Sequence, residues 1–221
     1  MVRSSLPIVH SQLSLQDFLP DGDLSKGTWK EARWLRFDGD WSGQKRFPEA
    51  ETFVAGLWTV PYIYFASRCK YSSLNVYAGE DVAKERWKLW ERDVVEVFLN
   101  PQPESPNLYY EFEVAPTNQW IDLEIDLDKE PFHDPSWDSG FTHATRIDPK
   151  NHEWTCEMRI PVKPMGVERM RANSEWRINF YRQDGPGTGT ERRLLCWRPT
   201  FGEKPNFHKP ERFGAIRFVG Q

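Results

Sequence analysis

The chain has 221 residues, a formal net charge of -4 and a pI near 5.8. That length suits one β-rich domain, and that charge gives no footprint for nucleic acid, whose phosphates reward a basic surface. Eleven tryptophans and 14% aromatic residues suit a face that stacks on something flat, a sugar, a base or an aromatic ligand, while most of the rings fill a core.

Cys69, Cys156 and Cys196 are odd in number and widely spaced, which argues against a disulfide framework or a CxxC metal site and reads as buried thiols. No run is long and apolar enough to span a bilayer, and Met1 to His10 has no apolar signal-like core. As written the chain reads as soluble, with no membrane partner. Its compartment is left open, cytoplasmic as it stands or extracellular if a leader has been removed.

Met1 to Lys30 show little periodicity and carry Pro7, Pro20, Gly22 and Gly27. Residues 1–34 therefore read as an extended arm packed on a single domain of residues 35–221. Asp38-Gly-Asp40 reads as a turn, and Glu51–Trp58 and Tyr62–Cys69 as a hairpin around Pro61. Residues 71–90 are charged and irregular, with helical character around Val82 to Trp90.

They lead into the stretch that organises the chain, Trp90-Glu-Arg-Asp93-Val-Val-Glu96-Val-Phe-Leu-Asn100. From Asp93 the side chains alternate, so Val95, Val97 and Leu99 share one face while Val94, Glu96, Phe98 and Asn100 take the other. Both faces are largely apolar, which predicts a central strand. Glu96 on such a strand must find partners or face a polar cavity, because burying it unpaired is expensive.

Leu108–Ala115 is predicted to turn Tyr110, Phe112 and Val114 inward and Tyr109, Glu111, Glu113 and Ala115 outward. Ile121, Leu123, Ile125 and Leu127 then alternate with Asp122, Glu124, Asp126 and Asp128, the pattern of a half-buried antiparallel strand. Those four carboxylates splay along alternate strand positions and do not converge as calcium ligands, so a solvated face is expected. A hairpin around Asp148 follows, with Trp154, Cys156, Met158 and Ile160 inward.

Lys163–Arg171 reads as the one short helix. In Trp176–Arg182 the residues Trp176, Ile178 and Phe180 share a face, and Arg177, Asn179 and Tyr181 the other. Gly185-Pro-Gly-Thr-Gly189 precedes a strand, so it is a hairpin loop and not a phosphate cradle. Roughly ten strands with turn punctuation predict an all-β fold, an antiparallel β-sandwich of jelly-roll or immunoglobulin-like type.

The five histidines form no HExxH pair, and no G-x-S-x-G elbow exists, so catalytic zinc and a serine triad have no support. Asp93, Glu96, Glu111 and Glu113 are candidates for a glycosidase acid and base pair, whose fixed separation sequence does not reveal.

Trp90 to Asn100, Tyr109–Ala115, Trp176–Arg182 and the ending Trp197-Arg-Pro-Thr through Phe207-His-Lys-Pro210-Glu-Arg-Phe213-Gly214 occur in one order. Over residues 35 to 219 this order resembles carbohydrate-binding module family 9 and its relatives, free-standing bacterial domains included. The resemblance implies an antiparallel β-sandwich that breaks no bond and needs no cofactor beyond a structural calcium. It also implies an oligosaccharide or polysaccharide ligand, such as the reducing end of a glucan or xylan gripped between two rings, and association with a carbohydrate-active enzyme.

Carried over by position, the first ring falls on Trp90, the sugar-binding carboxylate on Glu96, and the second ring on Phe207, in place of a tryptophan. Asn179, Arg182 and His208 join them as residues that shape the pocket. Where sugar-binding members carry an arginine and an asparagine on the neighbouring strand, this chain has Glu113 and Ala115. Two other readings stand beside this one. One is a haem-carrying sandwich resembling dopamine β-monooxygenase N-terminal domains, with Met158 and His208 as axial candidates; the other is a glycoside-active enzyme.

Overall fold

Apolar alternation resolves into thirteen strands in the computed structural model, which describes residues 8–14, 16–79, 81–185 and 191–220. They are β1 (Ile8–Leu13), β2 (Leu35–Phe37), β3 (Thr52–Trp58), β4 (Tyr62–Lys70), β5 (Val94–Asn100), β6 (Leu108–Val114) and β7 (Trp120–Asp126). After them come β8 (His133–Asp134), β9 (Thr142–Asp148), β10 (Glu153–Pro161), β11 (Glu175–Asp184), β12 (Arg193–Cys196) and β13 (Gly214–Val219). No helix among the described residues is long and apolar enough to cross a membrane.

The strands form one sheet in the order β8-β7-β6-β5-β11-β13-β1-β3-β4-β10-β9, with β12 paired to β11 and β2 to β3. This sheet curls until its two wings face each other. Val95, Val97, Phe112 and Phe180 from one wing pack with Val54, Phe65, Trp154 and Met158 from the other in the main core. Burying one such side chain fully is worth about 1.5–3 kcal/mol. The layered result is a β-sandwich, as the alternation predicts. Cys69, Cys156 and Cys196 are buried free thiols.

Each wing also has an outer face. On β3 and β4 it carries Ala55, Leu57, Tyr64 and Ala66, covered by Phe18, Leu24 and Trp29 of the chain before β2. On β5, β6, β7 and β11 it carries Val94, Phe98, Tyr109, Leu123, Ile125 and Tyr181, with Leu89, Phe207 and Phe213 packed onto them from loops. That second layer is where the expected binding residues gather.

The sheet is mixed rather than wholly antiparallel. Ile8–Leu13, within the stretch read as an arm, forms β1 and runs parallel to both β13 and β3. Its pattern is weak in the sequence because Ser11 is one of its inward residues, fully buried. Gly56 makes the room: a Cβ there would stand 3.3 Å from Ser11 Oγ.

The short helix expected over Lys163–Arg171 reduces to a single 3-10 turn, Lys163–Met165. Gly166, left-handed at φ 77, ends it. Around Val82 to Trp90 only Leu89–Glu91 winds, again as a 3-10 turn. The face predicted to be solvated on β7 is also different, since Asp122 is fully buried while Glu124 and Asp126 are half-buried and Asp128 exposed. The backbone N–H of Ser139 donates to Asp122 Oδ2 at 3.0 Å and its hydroxyl to the same oxygen. Of the loop Gly185 to Gly189, residues 186–190 lie outside the described residues.

Candidate functional site

On the outer face of the β5 wing lies a cavity of about 300 Å³. Its floor is Glu96 and Phe98 of β5, Glu111 of β6, and Leu123 and Ile125 of β7; its walls come from Trp90, from Phe132 and His133, from Gln183 and Leu194, and from the loop Pro205 to His208.

Trp90 sits in the 3-10 turn Leu89–Glu91, whose Leu89 is buried and whose preceding residue Lys88 is left-handed at φ 66. Arg192 pins that turn, donating from Nη1 to the Trp90 carbonyl at 2.9 Å and from Nη2 to the Arg92 carbonyl at 2.6 Å. Trp87, exposed, meets the Trp90 ring edge-on at 5.0 Å. The rim is thus aromatic on a fixed backbone.

Phe207 is held from behind. Its ring stacks on Tyr181 at 4.1 Å and 13°, and its carbonyl accepts the Tyr181 hydroxyl at 2.9 Å. Asn179 completes that support without lining the cavity: its Nδ2 donates to Tyr181 Oη at 2.8 Å and to the Arg198 carbonyl at 2.9 Å. His208 shares a 2.7 Å hydrogen bond with the Tyr109 hydroxyl, and burial holds its pKa below the ordinary histidine value.

The floor is strongly acidic. Carboxylate oxygens of Glu96, Glu111 and Glu113 lie within 4.8 Å of one another, because the β5–β6 register sets Glu96 directly opposite Glu113 and Phe98 opposite Glu111. Gln183 Nε2 donates to Glu96 Oε1 at 2.9 Å. Oε2 of Glu111 and both oxygens of Glu113 meet no donor from the protein, which leaves a proton shared between those two carboxyls as the hydrogen bond open to them. Burial, and then the Glu111 charge, push Glu96 up to about 8. The same causes, burial first and the neighbouring Glu96 charge next, hold Glu113 well above the ordinary carboxylate range. Glu111 and Glu113 point away from the main core, as alternation predicts, yet both are buried, at 4% and 0% exposure.

The structure therefore brings Trp90, Glu96, Phe207 and His208 to one cavity. Arg182 is not there. It projects into the main core from the opposite face of β11, donating to the Ala50 carbonyl and Thr52 Oγ1 at 3.2 Å each and pairing with Asp184. Met158 and His208 are not brought together either, one lying in the main core and the other in the cavity wall. Residues not singled out from sequence are Phe132, His133, Gln183, Leu194 and Asn206. Gln183 carried a signal, since it continues the Asn179, Tyr181 alternation. A second group, Glu85, Asp122 and Asp138, also brings its carboxylate oxygens within 4.8 Å, the kind of oxygen set a hard cation takes.

Residues 21–221 match the carbohydrate family 9 binding domain-like family. The chain belongs to that family. Family 9 domains are non-catalytic carbohydrate-binding modules, which sets the cluster of carboxylates apart from a glycosidase pair. Among solved structures, a candidate carbohydrate-binding protein from Bacteroides uniformis ATCC 8492 is similar at TM-score 0.78 and 18% identity, over 97% of this chain and 100% of the other. Two family 9 modules from Caldicellulosiruptor kristjanssonii, one in complex with cellotriose and one with glucose, reach TM-scores of 0.68 and 0.66 at 15% identity. They cover 97% of this chain and 95% and 97% of theirs. At such identities the likeness establishes the β-sandwich fold of this family 9 domain.

A curated "Extracellular protein" from Arthroderma benhamiae (strain ATCC MYA-4681 / CBS 112371) is 29% identical over 143 residues, 59% of this chain. The match spans 63% of that relative, less than two thirds of its length.

Proposed function

We propose that the cavity holds the terminal unit of an oligosaccharide or polysaccharide, with the sugar ring against Trp90 and its hydroxyls hydrogen-bonded to Glu96. The observation that carries this reading is the convergence of the half-buried Trp90 ring and the buried Glu96 carboxyl on one cavity of about 300 Å³. An aromatic face suits the C–H side of a sugar, and a carboxylate accepts hydrogen bonds that neighbouring hydroxyls donate. A cavity of that volume stands at the small end of ligand pockets, which favours an end unit over the middle of a chain. Phe207 already has one face on Tyr181, so its contact with sugar is made by the opposite face or the ring edge. The Caldicellulosiruptor modules solved with cellotriose and glucose support the ligand class, and a partner enzyme would bring the polysaccharide within reach.

The test is a titration of tryptophan fluorescence with glucose, xylose, cellobiose, xylobiose and their reduced alditols. A saturable change that disappears on reduction of the end sugar is expected. Trp90→Ala should weaken binding about tenfold, in keeping with roughly 0.5–1.5 kcal/mol for an aromatic contact beyond its buried area. A flat response to every sugar in folded protein would overturn the reading.

A further inference from the structure

We propose that this cavity selects a cationic sugar: an amino sugar whose ammonium group sits over Glu96 and Glu111 while its ring lies against Trp90. The inference rests on the sugar-binding reading and names the chemical class of the sugar.

Its starting point is an arrangement that folding alone does not reward. Like charges directly opposite on paired strands are destabilising, yet Glu96 faces Glu113 across the β5–β6 ladder. Unpaired buried carboxylates are costly, yet both oxygens of the fully buried Glu113 and Oε2 of Glu111 have no donor beyond a proton shared between those two carboxyls. Arg192 is a cation that bears on this group, yet its Nη1 and Nη2 donate to the carbonyls of Trp90 and Arg92 rather than to a carboxyl. The floor is therefore a crowded patch of carboxyls that opens on the cavity through Glu96 and Glu111.

What fills it follows from the remaining lining. Phe98, Leu123, Ile125, Phe132 and Leu194 are apolar, and beyond the carboxyls only Gln183 and Asn206 bring side-chain oxygens to the lining, a sparse set against the six to eight oxygen ligands that a calcium ion takes. An ammonium group needs far less: its three N–H donors find acceptors in the Glu96 and Glu111 carboxyls that line the cavity, with Glu113 behind them. Aromatic faces also attract an organic cation that has left water. A sugar carrying an amino group suits the Trp90 wall and the acidic floor of the cavity at once.

The experiment compares glucosamine, glucose and N-acetylglucosamine by calorimetry on the wild-type protein, at a pH where the free amine is protonated. Acetylation keeps the ring and removes the charge. Glucosamine should bind at least about tenfold tighter than either neutral sugar, and Glu111→Gln should collapse that ratio. Should Glu111→Gln fail to fold, the wild-type ratio decides alone. Equal affinity for glucose and glucosamine overturns the inference while leaving the sugar reading in place; no binding of any of the three overturns both. Calcium chloride alone is the last arm, and saturation by calcium in competition with glucosamine would overturn the amine in favour of a metal ion.

Discussion

Replacing Glu113 by glutamine changes one heavy atom and removes one of the titrating carboxyls that crowd the β5–β6 ladder. A carboxyl raised from 4.5 to about 8, as Glu96 is, keeps its proton in the folded state and gives it up in the unfolded state. Glu113 is shifted in the same direction. Between about pH 4.5 and pH 8 the folded protein thus binds more protons than the unfolded one. Its stability falls as pH rises through that window. Glu113→Gln should raise the melting temperature at the alkaline end and flatten the fall, with little effect below the ordinary carboxylate pKa. Thermal melts across the range check this, and an unchanged slope would contradict it. At this scale the sequence spoke clearly for Glu96, an acid between Val95 and Val97 on an apolar strand. It grouped Asn179 with Arg182 in one pocket, although the two stand three positions apart and so fall on opposite faces of a strand, which is where the structure puts them. It could not say that Glu111 and Glu113 are buried, because their cover is a layer of loops from distant parts of the chain.

Elements hold the rim through a few cross-links, and Asn179 is the densest of them. Its side chain joins β11 to the Arg198 backbone through two bonds, 2.9 Å from its Nδ2 and 3.0 Å to its Oδ1, and supports the Tyr181 hydroxyl that in turn holds Phe207. Asn179→Ala leaves these buried groups short of partners, a loss of about 1–3 kcal/mol for each unsatisfied group. A lower melting temperature together with weaker sugar binding is expected. Sugar affinity equal to wild type in the folded variant would mean that Phe207 is held well enough by its stacking on Tyr181. Strand existence was legible from apolar alternation in β3, β4, β5, β6, β7, β10 and β11. The short helix was not, for Pro164 and Gly166 fall inside it and Gly166 takes the left-handed conformation that closes a turn. Nor was the burial of Asp122, which depends on Ser139 folding back over it from a loop.

The whole molecule is held closed by β1. It pairs from Ile8 to Gln12 with β13 and at Gln12 and Leu13 with β3, so it bridges two wings that have no other partner at that seam in the strand order. Deleting residues 1–13 would bare an edge on each, and exposed edges invite pairing with other chains. The truncated protein is expected to melt at lower temperature and to elute as larger species on size exclusion. A monomer as stable as the full chain would contradict that role. Sequence periodicity missed this strand because a buried serine takes the place of an apolar residue, while the sandwich itself followed from counting strands and turns.

That bridge also orders events in time. The first described strand seats itself against the last, Ile8 beside Ala215, so the pairing spans nearly the full chain and belongs to the slow, non-local class of contacts. During synthesis the wing of β3 and β4 can form early, but its seam with β13 stays open until the final strand has left the ribosome. Over that interval the nascent chain presents an unsealed sheet edge, the condition under which chaperones are recruited and neighbouring chains are captured.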